Sequence, residues 1–60
     1  MSPRQETLRL LLANGYEEKR EGKKHTIFYS PVTKKTIPVK RHDFNEEDMR
    51  YILKEAGINY

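Results

Sequence analysis

The sequence predicts an α+β domain ordered helix, three strands, helix (α-β-β-β-α), its three-stranded antiparallel sheet carrying both helices on one face. Three observations lead there. Two segments with apolar residues at helical spacing, each with start and stop signals, lie at opposite ends of a 60-residue chain. Three strand-like runs fill the space between them, and the connections are short enough to require antiparallel hairpins. Two helices with one apolar stripe each and a sheet with one apolar face satisfy one another by stacking on the same side. The sheet's other face is left open.

The first helix begins at Ser2-Pro3-Arg4-Gln5. Serine caps, proline suits the first helical position, and glutamine three residues after the serine has capping-box spacing. Leu8, Leu11 and Leu12 give the apolar stripe, and Asn14-Gly15 supplies the left-handed stop. The strand candidates are Tyr16 to Arg20, Lys24 to Tyr29, and Thr36 to Lys40, with Glu21-Gly22 as the first turn and the second connection within Pro31 to Lys35. Pro38 lacks an N–H for the ladder, so the third run is an edge strand. The last helix starts at Asn45 as cap, with Glu46, Glu47 and Asp48 in the first turn, where the helix dipole favours anions. Phe44 and Met49 have the spacing of a hydrophobic staple; Met49, Ile52, Leu53 and Ala56 form the buried face and Gly57 the stop.

Length allows a single domain over residues 1–60, because so short a chain buries only about 60% of the surface its unfolded form exposes. Without cysteine there is no disulfide and no thiolate metal site. The longest apolar run, Leu10 to Ala13, is far short of the roughly 20 residues of a membrane span, and no apolar signal-peptide core follows Met1. These features suit a soluble cytoplasmic protein. The net charge of +3 is unevenly spread: from Lys19 to Arg41 eight Lys/Arg residues face Glu21 alone. A basic middle between more acidic ends reads either as a solvated lysine-rich surface or as one that meets a polyanion, with nucleic acid ahead of membrane because no basic amphipathic helix accompanies it.

Strand side chains alternate between faces. With Phe28, Ile37, Val39 and Tyr16 inward, His25 points outward from the central strand, on the side of Lys23, Ile27 and Tyr29. The second hairpin then sets His25 across from Lys40 or His42, and the first leaves Glu17 or Lys19 beside it. Histidine exchanges protons near neutrality, and RNA cleavage by a ribose 2′-hydroxyl needs a base, cations on the phosphate and a proton for the departing oxygen. A lone exposed histidine is also an ordinary surface residue. Tyr29 and Ile27 read as a platform for a stacked base or as cross-strand packing, and His42 as a partner of the nearby helix cap. Two histidines and scattered acids offer no metal-ligand set.

In this order the pieces resemble the HicA family of small toxins, whose members look like a cut-down double-stranded-RNA-binding domain and act as messenger-RNA interferases. The leucine helix ending in Asn14-Gly15-Tyr16 is similar to the family's opening, and Arg20 matches an arginine often found before its glycine. His25 with Phe28 and Pro31 has the spacing of the family's catalytic motif, Gly-Ser-His followed by an aromatic and a proline. Pro38 matches its edge-strand proline, and Ile52 to Ile58 its closing helix. Lys23 and Lys24 stand where the family has glycine and serine, and Lys40 stands where a histidine often follows the edge proline.

The resemblance implies a metal-independent endoribonuclease without a small-molecule cofactor, with His25 as general acid/base. Lys19, Arg20, Lys23, Lys24, Lys40 and Arg41 would hold the RNA backbone, with Tyr29 as the stacking platform. It also implies a HicB antitoxin covering the open face. Two other readings keep the same fold: a non-catalytic RNA-binding module, and a protein-interaction domain for an acidic partner.

Overall fold

The computed structural model describes residues 1–59. The order is α1 (Pro3–Ala13), β1 (Glu17–Glu21), β2 (His25–Tyr29), β3 (Thr36–Lys40) and α2 (Glu46–Glu55). The strands form one antiparallel sheet in the order β1-β2-β3, so β2 is central and Pro38 sits in an edge strand, as expected. Thr26 and Phe28 of β2 are buried together with Ile37 and Val39 of β3. Leu11, Tyr16 and Ala56 join Phe28, Ile37 and Val39 in one core, with Leu8, Phe44, Ile52 and Ile58 packed against it. Both helices therefore cover the same sheet face.

The caps form as their residue types dictate. Ser2 and Gln5 exchange the two reciprocal bonds of a capping box, and the Asn45 side chain accepts from the Asp48 N–H at 2.8 Å. Both helices end the same way. The Tyr16 and Ile58 N–H groups reach back five residues to the Leu11 and Leu53 carbonyls, while Gly15 and Gly57 N–H groups reach Leu12 and Lys54. That is the Schellman arrangement, which requires a left-handed residue just past the cap; Gly15 has φ +87° and Gly57 φ +75°. Tyr16 thus belongs to the end of α1, and β1 starts one residue later than expected.

Two further expectations are corrected. Leu12 is 58% exposed, because the buried face of α1 is centred on Thr7 and Leu11 rather than on the leucines alone. Thr7 is accepted in the core because its hydroxyl donates to the Pro3 carbonyl one turn back at 2.7 Å. The first hairpin also has a different register. Glu17 faces Tyr29 and Glu18 faces Phe28; then the ladder shifts, so that Arg20 faces Ile27 and Glu21 faces Thr26. Lys19 is the extra residue of a β-bulge. Neither Glu17 nor Lys19 lies across from His25: the Gly22 N–H, donating to the His25 carbonyl at 2.8 Å, occupies that place.

Candidate functional site

The second hairpin takes one of the two registers expected, with His25 opposite Lys40 and not His42, Ile27 opposite Pro38 and Tyr29 opposite Thr36. Period-two alternation does the rest: Thr26 and Phe28 go into the core, and His25 stands exposed on the open face of the central strand. Among the described residues its imidazole has no hydrogen-bond partner. Both ring nitrogens are available to a ligand.

The cations gather around it from three directions. Lys40 comes from β3, directly across. Lys23 and Lys24 form the exposed tip of the turn that leads into β2. Arg20 arrives from β1, and the bulge decides its side. Without the extra residue, the pairing that starts at Glu17 would put Arg20 opposite buried Thr26; with it, Arg20 sits opposite Ile27 on the open face. Lys19 turns to the same face, its Nζ 4.8 Å from the centroid of the Tyr29 ring. The platform expected at Tyr29 is thus already covered by a cation.

Arg41 has structural work. One guanidinium nitrogen donates to the Gly22 carbonyl at 3.2 Å, another lies 3.6 Å from the Glu21 carboxylate, and its own N–H donates to the Lys24 carbonyl at 3.1 Å. These contacts brace the lysine-bearing turn against the end of β3, next to His25. His42 forms no bond to the helix cap, which Asn45 makes alone.

Arg4 belongs to the same region, and sequence reading missed it. Its Nε donates to the Lys40 carbonyl at 2.8 Å, joining the start of α1 to the end of β3. One signal was present: a cation in the first turn of a helix opposes the macrodipole, so something outside the helix has to hold it. A groove of about 250 Å³ was also missed. His25, Pro38 and Lys40 line it on the sheet side, and Phe44, Asp48, Tyr51 and Ile52 on the α2 side, so it wraps over the edge strand. A larger recess of about 500 Å³ near the end of α2 is lined by Arg50, Lys54, Gly57, Ile58 and Asn59, with no histidine or carboxylate among them.

Among the described residues no group of three or more His, Asp or Glu side chains is placed to hold a metal ion. No helix among them is long and apolar enough to cross a membrane. No curated protein and no solved structure matches the chain. Residues 4–58 do match a family model, described as "HicA toxin of bacterial toxin-antitoxin".

Proposed function

The chain belongs to the HicA toxin family, the toxin half of bacterial toxin–antitoxin systems, and on that premise we propose that it is an endoribonuclease that cleaves messenger RNA with His25 as its general base. One observation carries this reading. The histidine stands unpartnered on the open face, directly across from Lys40. Lys40 and Arg20 offer charge to the scissile phosphate, and Lys23 and Lys24 to the strand beside it.

His25 takes the proton of a ribose 2′-hydroxyl as that oxygen attacks the adjacent phosphorus. A bond forms from the 2′-oxygen to phosphorus while the bond to the 5′-oxygen breaks. The products are a 2′,3′-cyclic phosphate and a 5′-hydroxyl, and the departing oxygen takes its proton from solvent, which reaches the exposed site. The step needs no outside co-reactant. Lysine cations stabilise the extra negative charge on the phosphorane oxygens.

A toxin of this kind acts in the cytoplasm, where messenger RNA is, and is held in check by its antitoxin. The partner that fits is a HicB-like protein with an acidic surface laid over the open face, where it would cover His25 and the basic turn together.

Incubating the protein and its His25→Ala variant with a defined RNA in the presence of chelator tests the reading. Wild type should give products ending in 2′,3′-cyclic phosphate, and the variant should lose activity by 10²-fold or more, about the contribution of a positioned base. The variant should keep its thermal midpoint and most of its RNA affinity. Unchanged cleavage by His25→Ala would sink the proposal; RNA binding with no cleavage by wild type would leave a binding module in its place.

A further inference from the structure

The groove beside His25 has a composition that phosphate binding does not explain. It holds a carboxylate, Asp48, at a site otherwise edged by His25 and Lys40. The first turn of α2 suits a carboxylate in its own right, but at this place it also repels phosphate and, being purely an acceptor when ionised, favours a ligand that offers N–H or O–H groups. Among the described residues the Asp48 side chain has no hydrogen-bond or ion partner. Its own N–H is already used by the Asn45 cap, which fixes the backbone from which the carboxylate projects. Around it, Pro38, Phe44 and Ile52 give apolar walls, and Tyr51 supplies an aromatic ring on a residue 66% exposed.

Size restricts the occupant. At about 250 Å³ the groove lies below the range of about 300–1,000 Å³ that suits drug-sized ligands, so it takes one planar ring system rather than a folded strand. An aromatic ring, apolar walls and one convergent acceptor are what a splayed-out nucleobase meets in single-strand recognition. We infer that this groove is a base-reading subsite of the RNA site, and that the base it takes is guanine. Guanine alone carries two adjacent N–H donors, N1–H and the N2 amino group, on its Watson–Crick edge, so both oxygens of one carboxylate are used at once. Adenine and cytosine place a repelling ring nitrogen beside their single amino group, and uracil flanks its single N–H with two carbonyls. His25 and Lys40 at the groove's mouth then meet the phosphate of the same or the next nucleotide. This inference rests on the RNA-cleaving reading and adds to it a base preference.

The test uses four trinucleotides without 2′-hydroxyls, identical except for a central G, A, C or U. They cannot be cleaved, so the result does not depend on His25 acting as a base; cleavage is scored separately on full RNA. Wild-type protein should bind the guanine trinucleotide about tenfold or more tightly than the other three, as a bidentate base contact provides. Asp48→Asn should erase that preference. Glu47→Gln removes the same charge from the same helical turn outside the groove, and should keep it. Tyr51→Ala should weaken all four about equally. Equal affinities for the four bases, no binding of any, or a guanine preference that survives in Asp48→Asn would each overturn the inference.

Discussion

The Tyr16 hydroxyl lies inside the core and donates to the Ala56 carbonyl at 2.8 Å. That carbonyl is one of the last of α2 and has no intrahelical partner, so a side chain forty residues away finishes the helix. Tyr16→Phe keeps the ring and strands the acceptor, which should cost about 1–3 kcal/mol. Urea unfolding is the check: the midpoint should fall with the slope unchanged. His25 is the opposite case. It touches nothing that the fold needs, and its replacement should alter chemistry while leaving stability within about 0.5 kcal/mol.

At the scale of elements, the helix ends and the bulge do the positioning. Gly15 closes α1 in a left-handed conformation with nothing within 4 Å of where a Cβ would be. Gly15→Ala therefore meets no clash, and its expected cost of about 1–2 kcal/mol, read as a lowered thermal midpoint, is backbone strain alone. The next residue enters the core as Tyr16, so the turn at Gly15 sets both the helix end and the phase of β1. The bulge at Lys19 then changes that phase. β1 is Glu-Glu-Lys-Arg-Glu, exposed throughout, with no apolar residue to mark an inner face. A strand without such a mark leaves its register weakly specified in the sequence, which is why the first hairpin was misplaced and the second was not. In β2 and β3 the alternation of Thr26, Phe28, Ile37 and Val39 fixes the phase and leaves Lys40 or His42 as the partner of His25; the folded hairpin selects Lys40.

Over the whole molecule, cations concentrate on one side of the sheet, with Glu17 among them opposite Tyr29. The helices and core take one side of the sheet, and Lys19, Arg20, Lys23, Lys24 and Lys40 collect on the open side or its lysine turn. If these five contact phosphates, RNA binding should weaken with salt at a slope of about −3.5 in log K against log salt, the value for five contacts on a single strand. Replacing Lys23 and Lys24 together by glutamine should reduce that slope by about 1.4. A flat salt response would remove the open face as an RNA surface. Arg41 stands apart from the five because it is engaged with Glu21 and Gly22, and its loss should loosen the turn as well as remove a charge.

By itself the sequence determined what short-range physics encodes: both helices with their caps and stops, three strands, the edge position of Pro38, and the outward direction of His25. Each follows from spacing within a dozen residues, where backbone geometry leaves few choices. It also carried, in the order of its motifs, the resemblance to the toxin family. Tertiary structure decided the rest. It buried Thr7 and left Leu12 in solvent, because the axis of α1 is set by what α1 packs against. It rolled Arg20 onto the open face through one extra residue, and brought Arg4 to Lys40. It also placed Asp48 and Tyr51 of α2 beside His25 of β2, more than twenty residues apart in the chain. No local pattern records such a meeting; it exists only once the edge strand and the helix are packed together.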